Sequence, residues 1–152
     1  MQLTANFTLQ DLIASDTARE RGLDNTPPPE TIDRLRRLAE GLEEIQGLLA
    51  APLDISSAYR SSAVNAAVGG TSSSHHLLGW AADIACPGFG PPLEVALAIG
   101  ASAIKFDTVI LEYGRWVHVS FAPDARRRLL SIYDNGKSYV EGLWNEGGTR
   151  LA

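Results

Sequence analysis

Sulfur-based metal sites and cross-links are excluded first, because Cys86 is the only cysteine among the 152 residues. A single cysteine forms neither an internal disulfide nor a cysteine-rich zinc finger. Histidine is scarce as well, with only His75, His76 and His118 in the whole chain. A metal ion bound to this chain would therefore have to be held by a few histidines together with carboxylates.

Basic charge and long apolar runs are also lacking. The formal net charge of -5 is unlike the basic footprint of a nucleic-acid-binding protein, so no nucleic-acid partner is expected. No apolar run approaches the roughly 20 residues of a membrane helix, which argues against membrane insertion. The segment Met1–Asn6 shows no basic stretch followed by an apolar core, so no secretory signal is expected. This and the single cysteine fit synthesis in a reducing cytoplasm.

What the chain does contain is an ordinary globular balance of 45% hydrophobic and 20% charged residues. Its length suits one domain, so residues 1–152 are expected to form a single domain. In the first third, Thr8 is a suitable N-cap for a short helix within Phe7–Ser15. From Glu30 onward, apolar residues recur at spacings of three and four. This spacing predicts a long amphipathic helix that ends near Gly47 or a little later.

The second half is predicted to be mainly β-structure. Runs rich in β-forming residues predict four strands, at Leu53–Ser56, Ala81–Ala85, Thr108–Glu112 and Trp116–Phe121. A helix is predicted over Leu93–Ile104, and the three-residue link centred on Gly114 is typical of a hairpin. We therefore expect an α+β fold in which N-terminal helices pack on a small antiparallel sheet. The site motifs lie within about residues 53–121, and residues 122–152 are expected to extend the same domain, with Arg126–Arg128 on an exposed helix face.

Three residues of the β-rich half could together bind a metal ion. His76 and Asp83 lie seven positions apart, joined by Gly79 and small residues, and His118 follows in the last predicted strand. Two imidazoles and one carboxylate suit zinc, and three protein ligands leave the fourth tetrahedral position for water, as in catalytic sites. A carboxylate inside the apolar run around Asp83 would need a cation or strong hydrogen bonds. On spacing alone, a helix-capping His76 and an Asp83 bonded to backbone amides explain the pattern equally well.

A longer pattern around these residues resembles a known family. The pattern comprises Ser74-x-His76-x-x-Gly79-x-Ala81-x-Asp83 and Trp116-x-His118, with Phe7-Thr8-Leu9, Asn25-Thr26-Pro27, Ser57-Ala58-Tyr59-Arg60-Ser61, Asn65 and Gly69-Gly70 upstream. In this order the pieces resemble the zinc D-Ala-D-Ala carboxypeptidase-like peptidases of the LAS group, which also contains lysostaphin-type peptidases and the hedgehog signalling domain. The resemblance covers roughly residues 7–122, and its fixed order argues against chance agreement. The resemblance is strongest to small stand-alone peptidases of this group, which are often encoded by bacteriophages.

The resemblance implies a role for each matching residue. His76, Asp83 and His118 would ligate one Zn²⁺. Arg60 would hold a substrate carboxylate or the oxygen that becomes negative in the transition state, a task that suits its fork of donors. Ser74 would touch the substrate or orient a ligand, with a plain loop serine as the alternative.

Aromatic residues beside these motifs are candidates for the walls of a substrate groove. Trp80 is expected to point away from the core and to line the groove. Tyr59 and Tyr113 are further candidates for substrate contact, with ordinary surface exposure as the alternative. Trp116 is expected to be a core anchor beside the site.

The general base departs from the family pattern. Many relatives place an acidic residue three positions before the last zinc histidine, and here that position is Arg115, which cannot act as a base. Glu112 lies six positions before His118 and would return toward the metal if the hairpin turn is tight. We therefore predict Glu112 as the general base. The alternatives are a salt bridge of Glu112 with Arg115 or Arg60, and Asp107 as a substitute base.

These observations favour a zinc peptidase that hydrolyses peptide bonds of peptidoglycan stem peptides or cross-bridges. The expected setting is the bacterial cell wall, during phage lysis as an endolysin or during entry as a virion-associated protein, and a monomer is expected. One alternative is a non-catalytic, zinc-stabilised binding or virion structural module, which the arginine at the usual acid position keeps open. Another is a D-Ala-D-Ala dipeptidase or carboxypeptidase. An open groove would favour wall cleavage over the dipeptidase.

Overall fold

The computed structural model describes residues 1–134 and 138–152, and within these the chain folds as helices and one sheet. The elements are, in chain order, α1 (Leu9–Ile13), α2 (Asp16–Arg21), α3 (Pro29–Leu49), β1 (Asp54–Ser57), α4 (Ser62–Ala67), α5 (His75–Leu78), β2 (Ala81–Ala85), α6 (Pro92–Ala101), β3 (Thr108–Glu112), β4 (Trp116–Ser120), β5 (Arg128–Ile132) and β6 (Val140–Glu141). The predicted α+β class is confirmed, and so are the four predicted strands and the long helix.

The helices form for local reasons that are visible in their ends and faces. Thr8 caps α1 in a capping box, in which its side chain accepts from the Asp11 N–H and the Asp11 carboxylate accepts from the Thr8 N–H. Helix α3 begins at Pro29, where the missing N–H is not needed, and ends at Ala50 in a left-handed conformation. Its buried residues recur at spacings of three and four, and they cover the sheet on one side.

The six strands lie in the order β1-β2-β4-β3-β5-β6. Neighbours are antiparallel throughout β1-β2-β4-β3 and between β5 and β6, but β5 runs parallel to β3. The sheet is therefore mixed rather than wholly antiparallel. The reason is that Ser120, at the end of β4, lies beside Thr108, at the start of β3. The chain returns from there to place Arg128 against Thr108, so β5 starts at the same end as β3.

The arginine run was predicted on a helix face, and this prediction is wrong. Arg126 and Arg127 lie in the connection before β5, and Arg128 is the first residue of that strand. Backbone hydrogen bonds fix this course, because the Arg127 N–H donates to Phe106 O and the Arg128 N–H donates to Asp107 O. These bonds continue the pairing of β5 with β3 backward by two residues, which a helix could not do.

The hydrophobic core lies between one face of the sheet and the helices α3 and α6. On β3 and β4 the alternate residues Val109, Leu111, Val117 and Val119 are fully buried on that face. Cys86 is also buried there as a small hydrophobic residue. The intervening residues of the same strands point to the opposite face, which the helices leave uncovered. No helix in the described part of the chain is long and apolar enough to cross a membrane.

Candidate metal centre and catalytic cleft

Three side chains meet on the uncovered face of the sheet. Asp83 on β2 and His118 on β4 are directly paired in the antiparallel register, so their side chains lie on the same face. His76 reaches them from α5, which ends at Leu78, five positions before Asp83. The Nε2 atom of His76 is 3.2 Å from Nδ1 of His118, and each nitrogen is 3.3 Å from Oδ1 of Asp83.

This triangle has the dimensions of one face of a zinc tetrahedron. Zinc bonds to imidazole nitrogen and carboxylate oxygen are about 2.0–2.2 Å long, and the edges of such a tetrahedron are about 3.3–3.5 Å. The Oδ1 atom of Asp83 is buried and has no hydrogen-bond partner among the described residues. A buried carboxylate oxygen without a partner is costly, and a cation at the centre would compensate it. The residues present therefore fit a zinc ion.

The protein orients His76 for such a role. Its Nδ1 lies 2.7 Å from the carbonyl oxygen of Ala58, so the imidazole donates there and leaves Nε2 for the centre of the triangle. Ser74 caps the short helix α5, with its hydroxyl accepting from the His76 N–H at 3.2 Å. Gly79 then ends α5 at φ 81°, a conformation that suits glycine, and the chain turns directly into β2.

Electrostatics keep Asp83 ionised. Burial would raise its pKa, but the close approach of His118 and His76 outweighs burial and holds the pKa of Asp83 well below its usual range. The second oxygen of Asp83, Oδ2, is 3.5 Å from Nη2 of Arg60. A carboxylate that remains charged at all ordinary pH values is a competent metal ligand.

Arg60 is fixed at the edge of the metal centre by three contacts. Besides Asp83, its Nε donates to Ser57 Oγ at 3.2 Å and its Nη1 donates to Asn65 Oδ1 at 3.2 Å. Asn65 is 4% exposed, and its amide donates to Thr71 O at 2.9 Å, which ties the loop after α4 to the site. A guanidinium held in this way is preorganised to bind a carboxylate or a developing oxyanion.

Glu112 lines the same cleft as the metal triangle. It is the last residue of β3 and pairs with Trp116 across a tight turn, in which the Arg115 N–H donates to Glu112 O at 3.0 Å. Burial, reinforced by the charge of Asp83, raises the pKa of Glu112, while His118, Trp116 and Arg60 oppose the rise. A more basic carboxylate suits a general base.

The alternatives for the base are not supported by the geometry. Among residues 1–134 and 138–152, Glu112 makes no ion pair within 4.0 Å with Arg115 or Arg60. Arg115 is exposed and lines a different groove. Asp107 is fully buried and bound by Arg126 and Thr108, so it does not serve as a substitute base.

The cleft has a volume of about 900 Å³ and brings together most of the predicted site residues, namely Arg60, Ser74, His76, Asp83, Glu112 and His118. Tyr113 and Trp116 line it too, with ring centroids 5.5 Å apart. Tyr59 was expected to contact substrate, but it is 6% exposed, lies in the hydrophobic core and does not line the cleft. Trp80 was expected to wall the groove, but its ring packs under Arg34 of α3, outside the residues that line the cleft.

Sequence reasoning missed the part of the cleft that the C-terminal extension builds. Arg126, Arg128, Leu130 and Tyr139 all line it. The alternation of residues 126, 128 and 130 is the period-two signal of a strand face, and it could have indicated this wall. Nothing in the sequence signals Tyr139, which lies far from every recognised motif.

Comparison with known proteins agrees with this geometry. A family model described as Peptidase M15 matches residues 5–120, about three quarters of the chain. The chain therefore belongs to the peptidase M15 family, whose members are zinc-dependent metallopeptidases of the D-Ala-D-Ala carboxypeptidase-like type. This confirms the resemblance seen in the sequence, and the triangle of His76, Asp83 and His118 fits it. A comparison with curated proteins gave no significant match.

Proposed function

We propose that this protein is a zinc-dependent peptidase that hydrolyses peptide bonds in bacterial peptidoglycan, within stem peptides or their cross-bridges. One observation carries the proposal. The ligand triangle has tetrahedral dimensions and lines the same open cleft as Glu112, a carboxylate that pairs with no cation among residues 1–134 and 138–152. Metal-assisted hydrolysis needs this combination of a three-ligand centre and a nearby base.

Each residue then has a defined task. Zinc held by His76, Asp83 and His118 would supply Lewis acidity and lower the pKa of water. Glu112 accepts the proton of the attacking water and passes it to the leaving amine. Arg60 donates to the oxygen that becomes negative or to a carboxylate of the substrate.

The size and openness of the cleft favour a peptide segment over a free dipeptide. Its volume of about 900 Å³ is at the upper end of the range for small-molecule sites, and it is open to solvent. We place the activity at the bacterial cell wall, in phage-type lysis or in virion entry. We expect a monomer to be active, because one chain supplies the ligands, the base and Arg60.

The test is the release of new amino groups from purified peptidoglycan by the zinc-loaded protein. Glu112→Gln should abolish release while still binding zinc, and His76→Ala should lose both. Glu40→Gln is the matched control, because Glu40 is an exposed glutamate of α3 away from the cleft, and it should behave like the wild type. Zinc binding without release from any wall type or from D-Ala-D-Ala would refute the peptidase and favour the non-catalytic module.

A further inference from the structure

The cleft extends beyond the metal centre along β3 and β5. On β3, Ile110 pairs with His118 and marks the level of the metal centre, Glu112 lies two residues to one side, and Thr108 lies two residues to the other. Two residues of a strand span about 7 Å. Arg128 pairs with Thr108, so the part of the C-terminal wall formed by Arg126 and Arg128 lies on the side away from Glu112, whereas Leu130 pairs with Ile110 at the level of the metal centre.

An arginine in this wall is held by a fully buried carboxylate. Asp107 is 0% exposed and accepts from Nε and Nη2 of Arg126 at 2.9 and 2.8 Å, and from the Thr108 hydroxyl at 2.7 Å. This bidentate pairing fixes the plane of the guanidinium group. The remaining nitrogen, Nη1, has no hydrogen-bond partner within the described residues, and the side chain is 47% exposed. Arg126 therefore has a rigid geometry and unused donors in the cleft.

A second donor group lies in the same part of the cleft. The Oγ atom of Ser120 is 2.6 Å from Nδ1 of His75, and it also accepts from the Ala122 N–H at 3.3 Å. Ser120 Oγ can donate to Nδ1 or accept from it, and in the tautomer in which the hydroxyl donates, the proton of His75 lies on Nε2. No described group accepts from that Nε2, and His75 lines the cleft.

Among the described residues in this part of the cleft, Arg126 is the cation available to a ligand. Arg128 is already paired with Glu141 at 2.7 Å. Asp124 is an exposed acid whose charge acts on Arg126, but it makes no ion pair with it among the described residues. The free edge of Arg126 is thus open to an anionic group of a ligand.

We propose that Arg126, positioned by Asp107 and assisted by His75, binds a carboxylate of the peptide substrate. Thr108, which shares Asp107 with Arg126, lies two residues, roughly 7 Å, along β3 from the level of the metal centre, a distance that an extended peptide crosses in about two residues. The carboxylate therefore belongs to a residue close to, but not at, the scissile bond. This inference rests on the proposed function and specifies its substrate as an acidic peptide.

The test compares synthetic peptides that differ only by a carboxylate or a carboxamide, placed in turn at each position near the scissile bond. With the zinc-loaded wild type, amidation at one position should raise KM about 10-fold or more, the effect of losing a charge-assisted hydrogen bond. In Arg126→Gln the same amidation should change KM less than about twofold. Arg126→Lys, which keeps the charge, should restore part of the difference.

Further variants separate substrate binding from a structural role. Arg126→Gln leaves Asp107 buried without its cation, so the double variant Asp107→Asn with Arg126→Gln removes both charges together. It should be folded by circular dichroism and indifferent to amidation. The matched control Arg115→Gln, which removes an exposed arginine of another groove, should keep the full effect. Slower cleavage of both peptides with an unchanged KM ratio would show that Arg126 is only structural.

A binding measurement keeps this inference separate from the proposed catalytic function. If the wild type cleaves no peptide, the proposed function fails, but the subsite is still tested by calorimetry with zinc-loaded Glu112→Gln. A preference for the carboxylate peptide that Arg126→Gln removes would support the subsite. Equal affinity for both members of every pair would overturn it.

Discussion

Helix propensity and the packing of α3 on the sheet predict opposite effects on stability when Gly41 is replaced by alanine. Gly41 lies in the middle of α3, with the ring of Phe121 directly against it. A Cβ atom at Gly41 would lie 2.4–2.5 Å from three carbons of that ring. The ring has little freedom to move, because Phe121 is 3% exposed and the Arg37 guanidinium lies over it at 5.1 Å. Gly41→Ala should therefore destabilise the protein.

The expected change in the free energy of unfolding is the sum of two opposing contributions. Alanine is favoured over glycine in a helix interior by about 1 kcal/mol. Overpacking of a filled core costs about 1–3 kcal/mol, and an overlap of about 1 Å with a fixed ring belongs at the upper end of that range. The net loss is about 2 kcal/mol, which lowers Tm by about 4–8 °C for a chain of this size. Gly47, in the same helix, has no atom near its Cβ position, so Gly47→Ala should stabilise by up to about 1 kcal/mol.

Thermal and urea unfolding followed by circular dichroism measure both effects. The two variants differ from the wild type by the same methyl group on the same helix, so their comparison cancels helix propensity. Equal stability of Gly41→Ala and Gly47→Ala would refute this prediction, because the close approach of Phe121 would then not constrain α3.

Three other predictions concern the site directly. Glu112→Gln should lower kcat about 100- to 10,000-fold with zinc affinity unchanged in calorimetry. Zinc at 100 times its Kd should stabilise the wild type by about 2.7 kcal/mol, which raises Tm by about 5–10 °C, and chelation should reverse the rise. An equal rise in Tm for His76→Ala would contradict the assignment of His76 as a ligand. Hydrogen bonds from Arg126 lower the pKa of Asp107 to about 2 from an ordinary 3.8, so its contribution to stability is present above pH 4 and lost as the pH falls toward 2. Urea unfolding across that window should show a smaller loss for Asp107→Asn than for the wild type.

The parts of the fold that the sequence predicts are those set by local pattern. Ala81–Ala85 and Thr108–Glu112 are apolar runs bounded by turn residues, and the structure reproduces both with the same limits. The N-cap at Thr8 and the apolar spacing from Glu30 act within one or two helical turns, so they too are visible without tertiary structure. Pairing of Asp83 with His118 is different, because spacing alone left a metal site and ordinary hydrogen bonding as equal alternatives.

The errors come from contacts between residues that are distant in the sequence. Trp80 packs under Arg34, which is 46 positions earlier, and no local pattern indicates that orientation. Tyr59 lies in the core, and its backbone N–H donates to Leu12 O, 47 positions earlier. A run of three arginines ordinarily indicates a solvated surface, but Arg126 binds Asp107 across 19 positions. The sequence contains both residues of each contact, but it does not indicate that they pair.

The three ligands are not held in the same way, and this bears on which part of the centre can adjust. Asp83 and His118 lie on neighbouring central strands, where the register of β2 and β4 fixes their separation before any metal binds. His76 lies on a helix of four residues, and its position depends on the Ala58 carbonyl and on the left-handed turn at Gly79. The central sheet therefore defines two corners of the metal triangle, and the third corner is set by a four-residue helix outside the sheet. Adjustment of the site during metal binding should occur mainly through α5, which also carries Ser74 and His75 into the cleft.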